Sequence, residues 1–167
     1  AKLVDEDDSA YVPVGTGNIN ENGTVTILTN INVSGDYDFR ADFGGNDNYT
    51  ESSGITASEV VARPTTTTIE VLNNTFENVT VKVTVVDNET GNPIPYGDVN
   101  ITLPDGTNIT VKTDENGENV TTFDDIPVGE DKEFDANYLG NDTYTPSEET
   151  TTTDIIPRPS IKTPVVT

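Results

Sequence analysis

Cysteine, histidine, methionine, tryptophan and glutamine do not occur in the 167 residues. Without cysteine the chain forms no disulfide, thiolate nucleophile or iron–sulfur ligand set. Without histidine as well, it has no zinc donor set and no His-dependent triad. The missing glutamine rules out Thr–Gln ester crosslinks. Cations are scarce too: 8 Lys plus Arg stand against 30 Asp plus Glu, a net charge of −22. They are scattered singly, so the clustered positive surface that nucleic acid or an anionic membrane requires is missing. Only 32% of residues are hydrophobic, and the sequence given contains no targeting or membrane-inserting segment. What remains is carboxylate chemistry, hard-cation binding, or a role without catalysis.

So polar a composition borders on that of disordered chains, but the pattern is that of a folded one. From Asn78 to Val85 the chain alternates, with Val79, Val81, Val83 and Val85 on one side of an extended strand and Asn78, Thr80, Lys82 and Thr84 on the other. The alternation recurs in Val99–Leu103, Ile109–Val111 and Phe134–Tyr138. No stretch has the three-to-four spacing of an amphipathic helix, and Thr, Val, Asn and Gly disfavour helix in any case. The expected fold class is all-β.

The chain also repeats itself. At a constant offset of 95 residues, 25–64 matches 120–159 at 16 of 40 positions, among them Phe39 with Phe134, Ala41 with Ala136, and Arg63-Pro64 with Arg158-Pro159. The longest match is Gly45-Asn46-Asp47-Asn48-Tyr49-Thr50 against Gly140-Asn141-Asp142-Thr143-Tyr144-Thr145. In the complete copy, strands are expected near 66–71, 78–86, 98–103, 107–112, 118–123, 131–139 and 147–155. Pro104-Asp105-Gly106 and Asp114-Glu115-Asn116-Gly117 supply the turn chemistry between them. Seven short strands at roughly 8 to 12 residue spacing predict an immunoglobulin-like β-sandwich, repeated in tandem. The Cys–Trp–Cys core of antibody domains being absent, packing falls to Val, Ile, Leu, Phe76, Phe123, Phe134 and Tyr138.

Thr65–Val71, the alternating valines, Gly91-Asn92-Pro93-Ile94-Pro95, Thr113-Asp114-Glu115-Asn116-Gly117 and the run from Tyr138 through Ser147 together resemble the bacterial group 3 Ig-like repeats. The acidic, Asn- and Thr-rich composition is similar to versions in methanogenic archaea. The resemblance covers nearly the whole chain, one copy fully and one in part, the first copy carrying Phe43 where the second has Tyr138. It implies tandem modules of a large secreted adhesin-like protein, extracellular and at the cell surface or wall. Its partners would be neighbouring repeats or identical subunits, with host or cell-surface glycans or proteins as ligands, and no cofactor or catalytic residue.

Three segments follow: 1–63 as a partial repeat whose first strands are missing, 64–158 as a complete one, and 159–167 as the start of a next repeat or a donor strand. A sandwich short of two strands leaves apolar faces and backbone groups uncovered, so something must complete it. Upstream residues in a parent protein would do so. Alternatively the tail with Ile161, Pro164, Val165 and Val166 enters the gap of a neighbour and builds a filament, although Pro164 limits it to an edge or first position.

Asn-x-Ser/Thr sequons occur at Asn22, Asn32, Asn48, Asn73, Asn78, Asn88, Asn100, Asn108, Asn119 and Asn141. Chance placement of 18 Asn among 35 Ser plus Thr would give about four. They are candidate N-glycosylation sites, on outward faces such as Asn78, Asn100 and Asn108. A strand written Asn-Val-Thr has the same pattern without any glycan, because it points two polar groups out and one apolar group in. Carboxylate clusters at Asp5-Glu6-Asp7-Asp8, Asp124-Asp125 and Glu130-Asp131 raise calcium, but the EF-hand frame through Asp114 puts Lys112 first and Phe123 last. Solvated charge that keeps strand edges apart is the favoured reading. Lys82, whose phase points it away from the valines, reads as a solvated cation rather than a crosslinking one. The Thr65–Thr68 and Thr150–Thr153 runs suit first and last strands, and Arg63-Pro64 and Pro157-Arg158-Pro159 stiffen the joints into a rod. The expected role is a non-catalytic structural and adhesive spacer, with a strand-exchange filament subunit and a carbohydrate-binding module as the alternatives.

Overall fold

The computed structural model describes residues 2–4 and 11–159, the first three by their backbone pairing alone. The chain is all-β and divides into two units, Ala1–Ala62 and Arg63–Thr167. The first unit carries β1 (Lys2–Val4), β2 (Val12–Pro13), β3 (Gly35–Phe43) and β4 (Ser52–Val60). The second carries β5 (Thr65–Thr75), β6 (Asn78–Asp87), β7 (Asp98–Thr102), β8 (Asn108–Lys112), β9 (Glu118–Phe123), β10 (Gly129–Tyr138) and β11 (Ser147–Ile155).

In the second unit two sheets, β5-β6-β9 and β11-β10-β7-β8, share one apolar core in a β-sandwich-like arrangement. The alternation of β6 explains its place. Val79, Val81, Val83 and Val85 are wholly buried, and the polar residues between them face outward, a pattern that suits a strand with a neighbour on each side. The facing sheet contributes Val99 and Ile101 from β7 and Phe134, Ala136 and Tyr138 from its central β10. Phe123 of β9 stacks on Phe134 of β10 with ring centroids 6.3 Å apart, joining the two sheets. Each fully buried valine contributes about 1.5 kcal/mol. β5 runs on to Thr75, past the expected end at 71, because a bulge between Val71 and Asn73 absorbs Leu72 and lets the pairing with β6 continue.

Two turns are built the same way in the two units. Asn141 Oδ1 accepts the backbone N–H groups of Thr143 and Tyr144 at 2.8 Å, and Asn46 Oδ1 accepts those of Asn48 and Tyr49 at 2.9 Å. Gly140 and Gly45 precede these asparagines with φ of 76° and 78°, and a Cβ at either would stand 2.9 Å from backbone across the turn. The longest stretch of sequence identity therefore encodes a turn.

Among its described residues the first unit contains one sheet, ordered β2-β1-β3-β4, of which β3 and β4 are the sequence counterparts of β10 and β11. Phe39 lies opposite Thr56 as Phe134 lies opposite Thr151, and the register from Tyr37↔Ser58 to Phe43↔Ser52 repeats that of Lys132↔Thr153 to Tyr138↔Ser147 at an offset of 95; before Lys132, β10 carries an irregularity that β3 lacks. β1 departs from this correspondence: Lys2 faces Arg40, whereas in the second unit Thr102 faces Asp135, the counterpart of Arg40. Residues 23–28, aligned with β9, form no strand. β9 pairs only with β6, and the first unit has no counterpart of β6 among its described residues.

Candidate functional site

The most constrained polar cluster lies where the chain enters the second unit. Arg63 donates from Nε to Asp87 Oδ2 at 2.7 Å and from its second guanidinium nitrogen to Asp87 Oδ1 at 3.2 Å, and it also reaches Glu89 Oε2 at 3.1 Å. Asp87 Oδ1 further accepts the backbone N–H groups of Glu89 and Thr90, at 2.9 and 3.2 Å. The Asp87 side chain is 5% exposed, since it continues the valine phase of β6 and ends the strand facing inward. The Arg63 hydrogen bond, with help from the two backbone donors, holds its carboxyl at about 2, against an ordinary value of 3.8. The backbone of Arg63 meanwhile exchanges hydrogen bonds with Thr143 O and Thr145 N, seating Arg63 beside the Gly140–Thr145 turn. In the sequence Arg63-Pro64 reads only as a stiff joint. An acid at position 87 in the buried phase was the available signal that a cation had to sit beside it.

From this clasp β5 runs alongside β11 in the parallel sense, with bridges Arg63↔Tyr144 at one end and Thr75↔Ile156 at the other. Thr65 Oγ1 donates to Thr145 O at 2.8 Å, and Thr67, which is buried, lies 2.7 Å from Ser147 Oγ. At the far end Ile156 N donates to Asn74 O, Phe76 N to Ile156 O, and Asn74 Nδ2 to Asp154 O. The threonine runs thus belong to the first and last strands, and the chain enters and leaves this unit at opposite ends.

Eight of the ten sequon asparagines, at 22, 32, 48, 73, 78, 88, 108 and 141, are exposed. Asn88 and Asn108 accept Thr66 and Thr102 hydroxyls through Oδ1, which keeps the amide nitrogen, the atom a glycan would join, out of that bond. Asn100 is half-buried on β7. Asn119 differs: half-buried, it donates from Nδ2 to Lys112 O at 3.0 Å and accepts the Thr121 hydroxyl at 2.5 Å, so its amide ties β9 to the end of β8 in the other sheet. Asp124, Asp125, Glu130 and Asp131 are exposed, and among the described residues no three acidic side chains gather closely enough to hold a metal ion. Lys82 points outward from β6 and pairs with Glu118 at 3.2 Å. Asp5-Glu6-Asp7-Asp8 and the tail with Ile161, Pro164, Val165 and Val166 lie outside the described residues.

In the first unit the corresponding sheet face lies open. A groove of about 580 Å³ runs between the 16–27 segment and the β3–β4 hairpin, lined by Ile19, Val25, Ile27, Ala41, Phe43 and Gly54 among others. Leu28 is 92% exposed, whereas Phe123 at the equivalent position is 8% exposed. Compared with family models, curated proteins and solved structures, the chain matches none.

Proposed function

We propose that the chain is a non-catalytic repeat module of an extracellular, adhesin-like surface protein, built from Ig-like β-sandwich domains in tandem and acting as a structural and adhesive spacer. The observation that carries this reading is the parallel course of β5 beside β11, bridged at Arg63↔Tyr144 and Thr75↔Ile156, because a module whose chain enters at one end and leaves at the other can be joined end to end without doubling back. Strand orders β5-β6-β9 and β11-β10-β7-β8 support the Ig-like assignment. The shared β3–β4 and β10–β11 registers support the repeat. Occupied sequons would shield a module that has no disulfide, and mass spectrometry of native material is expected to find glycan on exposed asparagines such as Asn78 and Asn108 before Asn119.

Small-angle scattering on chains carrying one, two and three copies of residues 63–157 tests the spacer. Each added copy is expected to lengthen the particle by about 35 Å, the span of an eleven-residue strand such as β5. Lengths that do not grow with copy number reject it. Micromolar binding of the full chain on a glycan array would instead favour a carbohydrate-binding module.

A further inference from the structure

The first unit repeats the β10–β11 hairpin of the second as β3–β4, and among its described residues no second sheet covers it. Phe39, Ala41 and Phe43 are the counterparts of Phe134, Ala136 and Tyr138 on one face of the central strand. In the second unit all three are buried, but in the first Phe39 and Phe43 are half-buried and Ala41 is exposed. We propose that this open face is the docking surface for a two-stranded antiparallel hairpin of the β5–β6 kind, with apolar β-branched residues at alternate positions, carried by an adjoining repeat. The inference rests on the Ig-like repeat reading.

Three features select this occupant. From Tyr37 to Phe43 the β3–β4 register is that of β10–β11, so the face presents the counterparts of the residues that share one core with Val79, Val81, Val83 and Val85 of β6. Residues 23–28 are the counterpart of β9, a strand whose only pairing is with β6, and they stay irregular where the β6 counterpart is missing. A second copy of this chain cannot lend its own β5–β6 without uncovering its own core, to which β6 supplies four valines. Nor does the stretch 161–167 suffice, since in sequence it aligns with β5 alone and provides no partner for 23–28.

The test fuses a copy of residues 63–95 directly ahead of Ala1 in the full chain, which restores the 95-residue spacing, and follows hydrogen exchange by mass spectrometry. Amides of 35–60 are expected to exchange at least about 100-fold more slowly than in the unfused chain, and binding of a hydrophobic dye to fall. The same fusion with Val81→Asp and Val83→Asp in the added hairpin, or with Ala41→Arg in β3, is expected to show neither change. Equal exchange of 35–60 with and without the hairpin overturns the proposal. So does an unfused chain that sediments as a dimer with 35–60 already protected, which would give the face to a second copy. In either case, slow exchange across 63–157 leaves the repeat reading standing. Fast exchange there would remove that reading and the proposal together.

Discussion

Asp87 is a charge placed where a valine would continue the core, and it is tolerated because four N–H donors from three residues satisfy it. Its folded-state value of about 2 lies below the ordinary 3.8, so the ionised form stabilises the fold above roughly pH 4 and that contribution is lost as pH falls from about 4 to about 2. Asp87→Asn is therefore expected to lower the melting temperature at pH 7, and the gap from the native chain should narrow as melts are repeated at pH 4 and pH 2. Asp105, also held below its usual range by Thr107, weakens in the same acid window in both proteins and cancels from that difference. A gap independent of pH would remove the Arg63 clasp from the stability account. Tyr138 is the opposite case: its hydroxyl is buried without a hydrogen-bond partner among the described residues, and burial raises the phenol above its normal range. Tyr138→Phe should leave stability unchanged or raise it by about 0.5–1 kcal/mol in thermal or urea unfolding, in keeping with Phe43 at the equivalent place in the first unit.

At the scale of the element, β6 organises the second unit, because it pairs on both edges and lines the core with every second side chain. Val83→Ala should cost about 2 kcal/mol of unfolding free energy, whereas Lys82→Ala one position away should change it by less than about 0.5, since Lys82 and Glu118 remain about one-third exposed and solvent screens their pair. Urea titrations of the two variants check this contrast. Alternation of period two made β6, β7 and β10 legible in the sequence, and Gly- and Asn-bearing turns marked where strands stop. The failure of 23–28 to become a strand was not legible. Its text, Gly-Thr-Val-Thr-Ile-Leu, is as strand-like as that of β9, but a strand also needs a partner, and the partner is a distant segment. The Arg63–Asp87 clasp was hidden for a related reason: its halves stand 24 residues apart, and only folding shows that they meet. The extra length of β5 depended on a bulge, which leaves no clear mark in composition.

For the molecule as a whole, hairpin registers that match from Tyr37 to Phe43 and from Lys132 to Tyr138, in different surroundings, provide an internal control. Amides of β3–β4 are expected to exchange at least about 100-fold faster than those of β10–β11 in the native chain, because local opening is opposed by little overlying core in the first unit and by a complete one in the second. Equal rates would mean that strand pairing alone sets protection. The parallel run of β5 beside β11 has a mechanical consequence. Tension applied through Arg63 and Ile156 drags the two strands lengthwise past each other, loading the bonds at Arg63, Thr65, Asn74 and Phe76 together instead of peeling them one by one. Such a module should resist stretching far better than its modest burial suggests and yield abruptly.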